Sequence, residues 1–338
     1  MLSKLSIQAW PFGYRRYKKE LTNLRVATVD NRSVPIPIQT FKLLLTMKYR
    51  LFVATVIIVS VGSWCQSARA QFFAELFAPV NHTHFSPLGT PYVHPFNFEP
   101  PQIHQDAFFI YKYTKNTFEG SNEHEAEAHL DWALTERLGY VIGVPLVGNE
   151  DRVTGAQNVG FGDLEFIPRI MWINHDRFVL SSNFSMTFPT GDTSRDLGAG
   201  ETVLSPYITT WNDLGNWTTL FINFGPNFGT RSGDATFSYA FSLTHSFLGP
   251  SWLTCGKEEE EEHEGEEIHF PPGMLTIYLE MTGETDLTTG GEPTFIEIMP
   301  GLSYILTEHA ELRFGTLLPI SRAQRFDAQF YGSFSWLH

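Results

Sequence analysis

The stretch EHEAEAHLDWAL, residues 123–134, decides how this chain is read. From Glu125 the odd positions hold Glu125, Glu127, His129 and Asp131, while the even ones hold Ala126, Ala128, Leu130, Trp132 and Leu134. A period of two marks a strand, whose successive side chains leave on opposite faces. Such a strand fits two opposite settings. In a soluble sheet the acids meet water and the apolar face meets a core; in a membrane barrel the apolar face meets lipid and the acids line the interior.

The alternation recurs along the whole chain. Runs at 106–115, 125–134, 138–147, 161–173, 178–189, 202–211, 217–228, 235–247, 274–284, 295–306, 311–320 and 326–337 predict twelve strands, and no comparable stretch shows helical spacing. In 178–189, for example, Leu180, Phe184, Met186 and Phe188 oppose Ser181, Asn183, Ser185 and Thr187. The connections alternate too. TKNTFEGSNEHE, GNEDRVTGAQNVG and TGDTSRDLGAGE are long, whereas ERL, NHD and NDLGN between them are short. Short turns at one end and long loops at the other characterise membrane barrels with an even strand number. One connection breaks the rule: residues 248–273, on the short side, carry GKEEEEEHEGEEIH, so either a turn holds an insertion or a strand nearby is missed.

Export supplies the deciding context. Met47, Lys48 and Arg50 precede an uncharged apolar run at 51–61, and Ala68-Arg69-Ala70 ends the stretch as a small-x-small site. This is the layout of a secretory signal peptide occupying 47–70 and cut before Gln71, and the run is too short to span a bilayer as a helix. We therefore read residues 1–46 as a disordered over-extension of the start site. The chain beyond Ala70 holds 12 Lys/Arg against 35 Asp/Glu, a net charge of −23, which argues against nucleic acid as a partner. Cys65 leaves with the signal and Cys255 stays alone, so no intrachain disulfide framework is expected.

Residues 71–105 are rich in Pro, His and Phe and lack a steady period; this irregular segment is long and apolar enough to plug a barrel, and a loose periplasmic tail is the equal alternative. The rest, 106–338, is expected to be a transmembrane antiparallel up-and-down β-barrel of about twelve strands with an acidic insert at 249–272. Trp132, Tyr140, Trp172, Trp211, Trp217 and Trp336 lie near strand ends, where an aromatic girdle would sit. A soluble secreted β-sandwich stays open as the alternative, because packed sheets also bury one face.

Four stretches carry a family resemblance: NVGFGDLEFIPRIMW, TFPTGDTSRDLGAG, GLSYILTEHAELRFGTLLPIS and the aromatic last strand. They resemble the outer-membrane β-barrels named for a meta-pathway of phenol degradation, over most of residues 106–338. The resemblance implies an exported, porin-like barrel that transports small, aromatic or otherwise apolar molecules. The chain departs from the pattern in ending Leu337-His338 rather than in an aromatic residue, and in its acidic insert. The first departure weakens the signal expected for the barrel-assembly machinery.

In the barrel reading the interior is lined by Glu125, Glu127, His129, Asp131, Asp163, Glu165, Arg169, Glu280, Glu297, Glu311, Arg313 and Asp327. Acids outnumber bases there, which favours cations, the equal alternative being acids that are simply hydrated or paired across the lumen. Ile167, Met171, Phe221, Tyr278 and Tyr331 share the same face and predict a narrow passage. Gly160, Phe161, Gly162 and Asp163 lack the helix and Lys of a phosphate loop and predict a turn at a strand start, as Pro189 to Asp192 predict one at a strand end. No structural metal and no cofactor is expected; within the insert His263, Glu264 and His269 are weak cation candidates in a run that would ordinarily be solvated. No enzyme activity is expected either: G-x-S-x-G and His-Glu-x-x-His are missing, and the outward Ser182 has no accompanying His. The expected partners are a lipid bilayer and a small-molecule solute. The function read here is a channel or transporter; the alternative is a structural or surface-binding barrel without transport.

Overall fold

The computed structural model describes residues 76, 78–79, 84–117, 120–151, 155–247, 270–288 and 294–337. The expected start-site extension, the signal peptide and the insert candidates His263, Glu264 and His269 lie outside the described residues. The strands are β1 (Asp106–Lys115), β2 (Ser121–Ala133), β3 (Leu138–Asp151), β4 (Gln157–Phe161), β5 (Leu164–His175), β6 (Phe178–Phe188), β7 (Val203–Gly215), β8 (Thr218–Gly229), β9 (Ala235–Phe247), β10 (Leu275–Asp286), β11 (Phe295–Thr307), β12 (Ala310–Pro319) and β13 (Ala328–Leu337). Each pairs antiparallel with its neighbours, and β1 pairs with β13 from Asp106↔Leu337 to Lys115↔Ala328, closing the sheet on itself. β4 and β5 share one partner: β3 pairs with β5 through residues 138–143 and with β4 through 146–150. They form a single broken stave, so the barrel has twelve. The run expected at 161–173 is thus interrupted at Gly162 and Asp163, where the Gly162 amide donates to the carbonyl of Pro145.

The pleat sorts the side chains as alternation requires. In β10, Ile277 and Leu279 are 46% and 50% exposed, whereas Thr276, Tyr278 and Glu280 between them are buried. Phe109, Leu130, Phe224, Phe314 and Trp336 on other strands also face outward. A continuous apolar exterior of this kind is unstable in water and stable against hydrocarbon. Closure follows from the same solvent, because an open sheet edge in lipid would leave amides and carbonyls unsatisfied. Among the described residues no helix is long and apolar enough to cross a membrane, so any crossing is by strands.

The connections keep the expected asymmetry. β5–β6, β7–β8 and β11–β12 turn over two residues each, at the end where both ends of the barrel chain also lie. At the β7–β8 turn, Asn216 and Trp217 both adopt positive φ (51° and 55°), the conformation that matches the twist of a two-residue hairpin. The connection carrying the insert falls at this short-turn end. β9 pairs directly with β10 from Phe247↔Leu275 onward, so no strand of the ring lies between them.

Trp211 departs from the expected girdle. It shares the inward face of β7 with Tyr207 and Thr209, is fully buried, and meets Tyr92 edge to face at 4.9 Å. Position near a strand end does not fix which face a residue takes.

Candidate functional site: the filled interior

The N-terminal segment runs inside the ring. Near the short-turn end Thr90 Oγ1 donates to Asp213 at 2.9 Å, and Phe98 lies 6.3 Å from Phe221. Phe96 reaches the middle of the wall, edge-on to Tyr278 at 5.1 Å and Tyr331 at 6.5 Å. Gly301 makes room for it, since a Cβ there would stand 2.8 Å from the Phe96 ring. The chain then returns to the start of β1 at Asp106.

Three buried charges on the wall grip this segment by its backbone. Glu280 on β10 accepts from the amides of Phe96 (2.7 Å) and Asn97 (3.2 Å) and from the Asn97 side chain (2.6 Å), as well as from Ser242 (3.1 Å). Arg313 on β12 donates to the carbonyls of His94 and Pro95, both at 3.3 Å, with its guanidinium 4.9 Å from the centre of the Phe108 ring. Arg169 on β5 donates to the carbonyls of Pro100 and, at 2.9 Å, Gln102. A segment without secondary structure has backbone groups that must find partners once water is excluded. These wall residues supply them.

A second set joins segment and wall by charge. His129 Nε2 lies 3.1 Å from Asp131 and 3.3 Å from Glu99, and Arg169 lies 3.3 Å from Asp131 and 3.7 Å from Glu99. Burial pushes the Glu99 carboxyl up to about 7, helped by Asp131 and opposed by His129 and Arg169. His94 is held well below its ordinary value, first by burial, then by the neighbouring His104 and Arg313. Ligand atoms of Glu99, His129 and Asp131 all fall within 4.8 Å of one another, a spacing that could hold a metal ion. The Arg169 guanidinium already supplies a positive charge beside these carboxylates, so the group is balanced by protein. Between segment and wall a small cavity of about 30 Å³ remains, lined in part by Phe96, Glu127, His129 and Arg313.

The expected lining residues can now be placed. Glu125, Glu127, His129, Asp131, Glu165, Arg169, Glu280, Glu297, Glu311 and Arg313 are all buried on strands of the ring. Glu125 bonds Lys112 Nζ at 2.7 Å, Glu127 lies 3.5 Å from the same amine, Glu165 accepts from Ser185, and Glu311 lies 3.8 Å from Arg313. Two differ. Asp327 precedes β13, is exposed, and bonds Asn116 of the β1–β2 loop; its parity is right but the strand has ended. Asp163 sits in the break between β4 and β5, and its carboxylate accepts from the amides of Gly191 (2.8 Å) and Ala199 (2.6 Å) in the β6–β7 loop. Lys112, Glu99 and Arg325 belong to the interior but escaped sequence reasoning. For Lys112 a signal existed: it is the register partner of Glu125 across β1 and β2.

The Asp163 bonds join the two turn motifs. Thr190 Oγ1 donates to the carbonyl of Gly162 and accepts from the amide of Leu164, both at 2.9 Å. Gly191 and Gly198 are needed for the close approach: a Cβ on Gly191 would stand 2.2 Å from the carbonyl oxygen of Leu197, and one on Gly198 2.4 Å from Asp163 Oδ1. Replacing Asp163 by Ala orphans two amides at about 1–3 kcal/mol each. The expected result is faster trypsin cleavage after the exposed Arg195 in intact membranes, with the barrel's heat-dependent gel shift retained. An unchanged cleavage rate would show that the loop is held by other contacts.

No family model matches this sequence, and the search of curated proteins found no match. Among solved structures, the chain is similar to an outer-membrane channel from Pseudomonas putida F1, with a TM-score of 0.51, 13% identity, and coverage of 73% of this chain and 100% of that one. It is also similar to KdgM porin (TM-score 0.44, 11% identity, 69% and 99% covered) and NanC porin (0.42, 9%, 69% and 99%). What the chain shares with the P. putida channel is the fold. This chain is a closed twelve-stranded antiparallel barrel.

Proposed function

We propose that this protein is an outer-membrane channel for a small solute, closed at rest by its own N-terminal segment. The observation that carries the reading is the inversion of faces: apolar side chains outside, carboxylates inside. The likeness to the P. putida channel supports it, as does the contact between two of the four stretches that carry the phenol-pathway resemblance. Export through a signal peptide ending at Ala70, insertion by the barrel-assembly machinery, and an outer-membrane location belong to the same proposal.

The solute class follows from what faces inward. On the wall, Trp211, Phe221, Tyr278 and Tyr331 suit an aromatic or apolar body, while Glu125, Glu127, Glu165, Glu280, Glu297 and Glu311 favour positive charge. A small organic cation meets both. Exchanging Glu125 and Glu127 for Gln and Asp131 for Asn removes three of the carboxylates around Lys112, His129 and Arg169 and leaves Glu99 and Glu165. The cation-to-anion permeability ratio in bilayer recordings is then expected to fall severalfold; an unchanged ratio would assign these acids to internal pairing alone. A barrel that binds or scaffolds without transport is favoured by one observation, the filled interior. Conductance of the full chain in planar bilayers, under conditions that release the segment, separates the two.

A further inference from the structure

The long-loop end of the interior holds a cradle built around a guanidinium. Arg325, in the connection between β12 and β13, turns inward and donates from Nε to Glu297 Oε1 at 3.0 Å and from Nη2 to Glu297 Oε2 at 2.9 Å. Its Nη1 lies 3.4 Å from Glu284 Oε2, and its Cζ stands 5.1 Å from the centre of the Phe295 ring. Thr282 Oγ1 donates to Glu297 at 3.0 Å and fixes that carboxylate. Glu284 and Glu297 lie two residues from the long-loop ends of β10 and β11, and both are buried.

The four wall groups stand on rigid strands, whereas the cation they hold comes from a loop. Two carboxylates, one of them bidentate, and an aromatic face are the elements that recognise a planar organic cation. We propose that Glu284, Glu297, Thr282 and Phe295 form a binding subsite for the guanidinium or ammonium head of a small organic cation, and that Arg325 is its tethered occupant at rest. An incoming cation takes the place of Arg325, which swings out with its loop. The inference names the solute's head group for the channel proposed above, and rests on that reading only for the direction of access.

The test uses the full processed chain folded in detergent micelles, with folding checked by heat-dependent gel migration. Arg325→Ala is expected to bind methylguanidinium about tenfold more tightly than wild type by calorimetry, and not to bind the neutral isostere methylurea. Adding Glu297→Gln to that variant is expected to abolish the gain. Should Arg325→Ala fail to fold, Arg325→Lys keeps the charge but loses the fork, and methylguanidinium is expected to displace it severalfold more readily than it displaces Arg325. Equal binding by wild type and the Arg325 variant, or equal binding with and without Glu297→Gln, overturns the subsite. Binding as expected without any methylguanidinium flux into liposomes upholds the subsite and contradicts the channel.

Discussion

Deleting residues 84–104 from the processed chain is expected to raise single-channel conductance by about an order of magnitude, because a twelve-stranded ring lies between filled eight-stranded barrels and water-filled sixteen-stranded ones. The strand ladder does not depend on the deleted residues: every strand pairs only with its neighbours, and β1 meets β13 independently of the segment. Its removal exposes Glu280, Arg169 and Arg313 to water, which solvates them. It also takes Tyr92, Phe96 and Phe98 out of the lumen, where they pack against Trp211, Tyr278 and Phe221. Bilayer recordings of the deletion and the full chain, side by side, check this. Equal conductance would mean that the wall side chains close the lumen without help.

The second large effect is expected at Glu280. Its carboxylate takes three bonds from Phe96 and Asn97, and Glu280→Ala leaves the donors buried without an acceptor. At about 1–3 kcal/mol for each orphaned group, docking of the segment weakens by about 3–5 kcal/mol. Amide exchange over residues 96–97, followed by mass spectrometry, should then lose about a hundredfold or more of its protection. Glu280→Gln keeps an acceptor and loses the charge, so its effect is expected to be smaller, about 1–2 kcal/mol. Full protection in Glu280→Ala would place the anchoring of the segment elsewhere, on Arg169 and Arg313.

The barrel was legible in the sequence because lipid and lumen impose opposite chemistry on alternate residues of every strand. Residues 125–134 show it plainly, although β2 itself begins at Ser121, where the outward positions Asn122 and His124 are polar. What alternation cannot show is depth. Asp327 has the parity of an inward residue yet lies just before the start of β13, and Trp211 was assigned by position to an outer girdle that its parity forbids. The break at Gly162 and Asp163 was hidden for another reason: it is held by bonds to Gly191 and Ala199, far along the chain, which no local pattern encodes. Arg325 sits in a loop, where periodicity is silent. The segment's Phe and Pro content pointed inward, but Arg169, Arg313 and Glu280 grip its backbone, and backbone contacts leave no mark on residue choice.

The central claim is that hydrocarbon touches the apolar face of this ring. Single nitroxide labels at 275–281 in the protein reconstituted in lipid bilayers test it most directly, with oxygen and a water-soluble nickel chelate as collision partners. The account predicts high oxygen and low nickel access at Ile277 and Leu279, and low access to both at Tyr278 and Glu280. Nickel access at Ile277 and Leu279 matching that of exposed loop residues would contradict it.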